Sequence, residues 1–488
     1  MRSSLLLAPI FIAVLVGCAT GPAYKRPDVS VPTKYKEGAG APAANTPPAG
    51  WVTASPGDTG DRGAWWEVFG DPQLQELESR ASKSNQSVQQ ALATLMVARS
   101  AVGVARAGYA PTVSASSSAS RFHTSQNIVG RAGLAGRTVP DYSVGLDASW
   151  EPDLFSRVRH AVDAADARAQ ASSADLASVQ LSIHAELAVD YFDLLDTDAE
   201  TALLQKTVAS YAQALALVQH LFDAGAASDL ELAQAQTQLE TTRAQLVDLG
   251  VRRGQLEHAI ATMVGEPAST FTLRTNGIEL TPPAIPPGIP SELLQRRPDI
   301  AAAERRVAGA NADIGSAISA FYPDLVLSAS GGFESSSIGS LLSMPSRFWT
   351  IGPALLGTIF DGGRRKHQLE GARAQYDAMA ATYRQTVLTA FQEVEDNLNA
   401  TRQLADEAGT QQKAVASAER ALQIALNRYQ AGAVGYLDVV TAQSTALSNE
   451  RVAADISRRQ MDASVLLVKA LGGLWADSPT PAAAPHSS

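Results

Sequence analysis

The sequence predicts a mostly α-helical fold with a transmembrane β part, built as two internal repeats of strand, strand, long helix, turn and helix. Three observations carry that prediction. The stretch LFDAGAASDLELAQAQ, Leu221 to Gln236, returns as RYQAGAVGYLDVVTAQ, Arg428 to Gln443, with Gly225 and Gly432 standing 207 positions apart. Two runs, Asp153 to Glu266 and Ala354 to Ser478, contain no proline, and their apolar residues recur with a period near 3.5, the signature of left-handed supercoiled helices. Four other stretches alternate in character, each close to the roughly 9–11 residues that a membrane-spanning strand needs.

The elements follow in chain order. MRSSLLLAPIFIAVLVGCAT places Arg2 before an apolar run from Leu5 to Val16, which is the pattern of an export signal and too short for a membrane span. Residues 1–17 therefore form the signal. Leu15-Val16-Gly17-Cys18 resembles a bacterial lipobox, so Cys18 is expected to carry lipid and to begin the mature chain, and Ala19 after it suggests the outer membrane. Cys18 is the only cysteine, which excludes an intramolecular disulfide. Residues 18–63 are rich in Pro, Ala and Gly and read as an extended tether.

The first repeat spans 64–270. It opens on WWEVFGDP, where Pro72 suits a first helical turn, and a helical pattern runs on to about Ala107. A strand hairpin follows at 110–152. Within it Tyr142, Val144, Leu146, Ala148 and Trp150 alternate with Ser143, Gly145, Asp147, Ser149 and Glu151, giving one apolar face. A coiled-coil hairpin occupies 157–265. Its first helix would be roughly 100 Å long at 1.5 Å per residue. Gly225 is placed to end that helix, and Ser228-Asp229-Leu230-Glu231 reads as a capping box opening the next.

A Pro-rich linker, 271–290, leads to the second repeat at 291–475. Its strand hairpin is expected at 323–360 and its coiled-coil hairpin at 364–472. There Gly432 is the stop, Gly435 holds the cap position and Asp438 the position of Glu231. Gly362-Gly363 bends the chain from strand into helix. Residues 476–488 read as a disordered tail.

Four strands cannot close a membrane barrel, whose smallest members have about eight, and an unpaired edge is intolerable in lipid. Other copies of the chain must complete it, under closed cyclic symmetry. The net charge of −10, without any Lys/Arg block, argues against nucleic acid. The seven histidines lack ligand spacing, and neither a G-x-S-x-G elbow nor a P-loop occurs. The sequence therefore points away from an enzyme and from any cofactor other than the lipid. A coiled-coil scaffold or periplasmic adaptor would leave the matched strand pairs unexplained.

At this point the chain resembles the TolC-type outer-membrane efflux factors, in the lipoprotein branch that serves resistance-nodulation-division (RND) pumps. The stretches that carry the resemblance are Trp65-Trp66 to Asp71-Pro72, WEPDLFSR at 150–157, LLQRRPDIAAAERRVAGANADIGSAISAFYPDL at 293–325, and RYQAG with YLDVVTAQ. The resemblance implies a homotrimer with a twelve-stranded barrel in outer-membrane lipid and a helical tunnel across the periplasm. The hairpin turns would form its gate and the docking tips for a periplasmic adaptor (membrane fusion) protein, with energy supplied by an inner-membrane RND transporter. It places gate roles on Asp438, Tyr429, Asp229 and Glu231, docking on Gly225, Ser228, Gly432 and Gly435, and a structural corner on Arg297, Pro298 and Asp299. Many relatives carry a second acid one turn beyond Asp438, where this chain has Thr441.

Overall fold

A computed structural model of the chain describes residues 21–38, 64–127, 133, 135–274, 282, 283, 285 and 296–473. The signal, Cys18, residues 39–63 of the tether, most of the linker and the tail lie outside the described residues. The elements in order are a 3-10 turn (Trp65–Phe69), α1 (Pro72–Ser84), α2 (Gln86–Ala107), β1 (Thr112–His123), β2 (Thr138–Trp150), α3 (Arg157–Asp223), α4 (Asp229–Met263), α5 (Pro298–Ser319), β3 (Asp324–Ser335), β4 (Arg347–Leu356), α6 (Arg364–Gln430) and α7 (Tyr436–Ala470), with two short 3-10 turns between β3 and β4.

The repeat is exact in its helices. Both α3 and α6 have 67 residues, and both α4 and α7 have 35. Their starts, Arg157 and Arg364, Asp229 and Tyr436, keep the 207-residue offset. Before the second strand of each hairpin the offset is 212, as between Thr112 and Asp324. The five-residue difference is absorbed around the strand loops and in β2, which has 13 residues against 10 in β4. Among the residues spaced at that period, Leu204, Tyr211, Val218, Ala380, Tyr383, Val387 and Val394 are buried, while Phe222, beside the turn, is 37% exposed.

Compact packing does not follow the repeats. One unit gathers Met1–Asp28, Thr94–Ser173 and Ala302–Arg384, and the other Val29–Ala93, Ala174–Ala301 and Gln385–Ser488. Each takes matching pieces of both repeats, because strands pair with strands and coils with coils whatever their order in the chain.

The first unit holds one antiparallel sheet in the order β1-β2-β3-β4. Its register sorts the alternation across the sheet. Val144 faces Phe333, Leu146 faces Gly331, Ala148 faces Ala329 and Trp150 faces Leu327; Ala329 and Gly331 then face Ile351 and Trp349. The opposite surface carries Ser116, Ser118, Ser143, Asp147 and Ser330, with Ser116 Oγ donating to Asp147 Oδ2 at 3.1 Å. Trp349, Ile351 and Leu355 are 68–72% exposed, so the apolar band on this sheet face is uncovered in the single chain, with Arg121 and Arg347 at its loop end. β1 and β4 each present a free edge. β4 stops at Leu356, short of the expected Phe360. Gly362 and Gly363 then take φ of +65° and +92°, and Asp361 caps α6 by accepting from the Gly363 and Arg365 amides.

The second unit carries the main core: Leu74, Leu77, Leu187, Tyr191, Phe192, Leu194, Ile260 and Val465. Phe271 and Leu273, placed in the linker by the sequence, are buried in this core. The helix expected from Pro72 to Ala107 is broken at Asn85. Asn85 Oδ1 accepts from the Ser87 and Val88 amides while its Nδ2 donates to Met263 O at 2.9 Å. A cap whose other end is held by a distant carbonyl leaves no local signal. Across α1 and α2 an 18-residue window within Pro72–Ala107 reaches a mean hydropathy of 1.2, long and apolar enough to cross a membrane by length and composition alone. Alanine contributes much of that value, and Leu92, Met96, Val97 and Val104 are exposed on it.

The described part of the tether is not free chain. In the first unit Tyr24 donates to Glu304, Arg26 Nε donates to the Tyr383 hydroxyl at 3.0 Å, and Asn311 Nδ2 donates to Pro22 O at 3.0 Å. In the second unit Tyr35 is 4% exposed, the Lys36 and Glu37 amides donate to Glu395, and Arg402 binds Glu37. Residues 21–38 are a strap bound to helices, with its aromatic and charged side chains as fasteners.

Candidate functional site

Both hairpin turns are built alike. Gly225 and Gly432 each have φ of +71°, and nothing lies within 4 Å of a Cβ added at either. Glycine is needed for the left-handed backbone, not for space. The amide of Ala226 reaches Leu221 O and that of Ala433 reaches Arg428 O, at 2.7 and 2.9 Å. These six-to-one bonds close the helix ends. Gly435, at φ −78°, has no such conformational demand. Gly225, Ser228, Gly432 and Gly435 are all exposed.

The four acid and aromatic positions differ in what they do. Ser228 Oγ accepts from the Glu231 amide at 3.3 Å, and the Ser228 amide donates to Glu231 Oε2 at 2.8 Å. The capping box is complete. Glu231 also reaches across: its Oε1 accepts from the Tyr436 amide at 3.3 Å. The Ser228 amide, and after it that of Tyr436, holds the Glu231 carboxyl below the usual carboxylate range. Asp438 behaves otherwise. The first turn of α7 has no side-chain cap bond, and Asp438 is exposed with no ion pair or side-chain hydrogen bond among the described residues. Asp229 is exposed in the same way. Capping thus accounts for Glu231 and not for Asp438.

Tyr429 lies edge-on to Tyr436 with ring centroids 5.3 Å apart. Tyr436 is 2% exposed in a small cluster with Val218, Ala235 and Val439, and burial pushes its hydroxyl up to about 12. The Tyr429 hydroxyl and Gln443 Oε1 are buried without a partner among the described residues. Both line a groove of about 840 Å³ between α3, α6 and α7, beside Leu426, Glu419 and Glu450.

Further along, α7 is fastened to α3 by charges that the sequence reading missed. Arg451 Nε donates to Glu200 at 2.6 Å, and Arg458 Nη1 to Asp193 and Asp462 at 3.0 and 2.8 Å. More carboxylates than cations collect there. Burial raises Asp190 and Asp196 to about 6 and Asp462 to about 7. Partners 251 and 265 positions apart give no local pattern to find.

The Arg297 corner lies elsewhere in the same unit. Arg297 is 8% exposed. It donates twice to Asp299, at 3.0 and 2.6 Å, and from Nη1 to Glu393 at 2.5 Å and to Ala470 O at 3.1 Å. Pro298 starts α5. A Cβ on Gly472 would sit 3.1 Å from the Arg296 carbonyl, so the end of α7 packs directly against this start. No cluster of three or more His, Cys, Asp or Glu with metal-holding geometry occurs among the described residues.

The family described as "Outer membrane efflux protein" matches residues 77–266 and 289–473. Outer membrane protein OprJ of Pseudomonas aeruginosa is 32% identical over 473 residues, covering 96% of each chain. Cation efflux system protein CusC of Escherichia coli is 30% identical over 474 residues, covering 96% of this chain and 98% of its own. The solved outer-membrane channel OprN superposes with a TM-score of 0.84 at 29% identity, over 94% of this chain and all of its own.

Proposed function

This chain belongs to the outer membrane efflux protein family, and from that membership we propose how it works as the outer-membrane channel of a tripartite efflux pump. Three copies close a twelve-stranded barrel. The apolar sheet face of Trp349, Ile351 and Leu355 meets lipid, and the Ser/Asp face lines the pore. Cys18 carries the lipid that fixes the N-terminus to the membrane. The exposed turns at Gly225, Ser228, Gly432 and Gly435 dock a periplasmic adaptor (membrane fusion) protein, and an inner-membrane transporter of the RND type supplies the energy. No bond is made or broken.

The gate lies at the same turns. The observation that carries it is the double use of Glu231, which caps its own helix and holds the Tyr436 amide of the other hairpin. Asp229 and Asp438 stand exposed near it without side-chain partners among the described residues. Repeated around a closed assembly they form rings of carboxylate that bind cations and repel each other. Tyr429 and Gln443 leave buried polar atoms behind them with no partner among the described residues, which lowers the cost of moving the tip.

Single-channel recording in planar bilayers tests this. Glu231→Ala removes the N3 half of the Ser228 capping box, worth about 0.3–1.5 kcal/mol, together with the bridge, and should raise conductance or open probability. Asp438→Ala should change cation selectivity with the unfolding midpoint unmoved. A wild type that conducts, with both variants indistinguishable from it, removes the gate from these residues. A correctly assembled protein that never conducts removes the channel mechanism as well.

A further inference from the structure

Away from the hairpin tips, α1 meets α3 through three polar side chains in the core of the second unit. Glu78 is fully buried and His184 is 8% exposed. His184 Nδ1 lies 2.6 Å from Glu78 Oε2, and its Nε2 lies 3.3 Å from Ser82 Oγ. Trp66 covers the imidazole with ring centroids 4.5 Å apart. The three residue types match those of a hydrolytic triad, but the hydrogens are committed differently. The one hydroxyl hydrogen of Ser82 is donated to Glu78 O at 2.9 Å. Ser82 therefore accepts from His184, whose Nε2 must carry hydrogen. A single remaining hydrogen lies between Nδ1 and Oε2, and the only question is which atom owns it.

Charge decides. An ionised Glu78 would keep Oε1 buried with no partner among the described residues. The charged groups on the surrounding elements are engaged elsewhere or face water. Asp71 binds the Tyr191 hydroxyl, Arg80 binds Glu266, Arg253 of α4 binds Glu257, and Arg458 of α7 binds Asp462. Glu67, Lys83, Glu186 and His258 are exposed, and Lys469 of α7 is half-buried. None of these contributes to either group; burial alone displaces both, raising Glu78 to about 9 and lowering His184 to about 4.

We propose that Glu78, His184 and Ser82 form a buried proton-binding site. One proton rests on Glu78 and closes a ring of three hydrogen bonds among neutral groups: Glu78 to His184, His184 to Ser82, and Ser82 back to the Glu78 carbonyl. Loss of that proton places an unpaired carboxylate in the core and loosens the contact of α1 with α3. Ser82 is exposed and gives solvent its access to the ring.

The sign of the linkage is specific. Below about pH 9 folded Glu78 holds a proton that the unfolded chain gives up at its ordinary 4.5, while His184 gives up below its ordinary 6.5 a proton that the unfolded chain keeps. Between about 4.5 and 6.5 the two effects cancel. From about 6.5 to 9 only Glu78 acts, and this site's contribution to stability falls as pH rises. Glutamine mimics the protonated acid, because its amide can donate to Nδ1. Glu78→Gln in the full chain, purified in detergent, should therefore unfold near the wild-type temperature at about pH 4.5 and above it at pH 7, where only the unfolded wild type has given up a proton at position 78. Wild type should then lose stability relative to the variant as pH rises toward 9. An ion pair predicts the opposite, a large drop for Glu78→Gln at pH 7, and that result overturns the proposal.

Infrared spectra of glutamate-labelled protein give a second readout that does not need the variant to fold. At about pH 8, above the values of Asp190, Asp196 and Asp462, wild type should keep one glutamic acid carbonyl band, lost at higher pH. Its absence at pH 8 also overturns the proposal.

Discussion

Arg297→Ala is expected to lower stability by about 3 kcal/mol, the lower end of the range of about 3–5 for removing one partner of a buried ion pair. The guanidinium serves three elements at once. It binds Asp299 in the first turn of α5, Glu393 on α6, and the carbonyl of Ala470 at the end of α7. Alanine would leave that carbonyl with one bond fewer and would take this cation from two carboxylates. Asp299 and Glu393 keep 32% and 46% of their side-chain surface exposed, so water recovers part of the loss. That places the effect at the low end. Arg297→Lys should rescue less than half, since an ammonium cannot reproduce the paired contacts to Asp299. The measurement is the unfolding midpoint of the purified protein, beside an exposed control such as Arg373→Ala. A shift no larger than the control's would show that the corner does not hold the three helices.

Gly332→Ala is expected to be comparably severe, through the sheet. A Cβ at Gly332 would lie 2.2 Å from Val144 O and 2.6 Å from the Gly145 Cα. Both are backbone atoms of β2, so no side chain can swing away. Among the described residues the β2–β3 pairing is also the only strand pairing that joins the two repeats. The strands must separate locally, and overpacking of this kind costs about 1–3 kcal/mol, sometimes more. The neighbouring Gly331 is an internal control. Its Cβ would meet only Phe348 O at 3.7 Å and the Trp349 Cβ at 3.8 Å, which is ordinary contact. Gly331→Ala should reach the outer membrane at wild-type levels and Gly332→Ala should not. Equal levels for the two would mean that the β2–β3 contact yields without cost.

What was legible in the sequence were features with a short period or a local cause. Alternation from Tyr142 to Trp150 gave β2, the 3.5-residue period gave the seams through Leu204 and Tyr383, and Ser228 with Glu231 gave a capping box that forms as written. The proposed gate acids Asp438 and Asp229 were reached through the resemblance, and the capping pattern alone would have misplaced Asp438. What was not legible depends on partners far along the chain. Asn85 caps α2 with help from Met263, 178 positions away. His184 meets Glu78 across 106 positions. The strap at 21–38 looked like a tether because proline and alanine dominate its surroundings, while a handful of side chains, Tyr24, Arg26, Tyr35 and Glu37, decide that it binds. Composition averages over the few residues that matter.

The equal lengths of α3 and α6, and of α4 and α7, make the molecule a ruler with two arms. Glu231 and Tyr436 meet only if both arms end at the same level. Seven residues added to each helix of one hairpin would carry its turn about 10 Å past the other and separate that contact. The same insertion made in both hairpins keeps the tips together and moves them jointly. The length of this channel is therefore a paired trait, changeable by doubled edits and resistant to single ones, whereas the strand loops, already unequal, are free to drift.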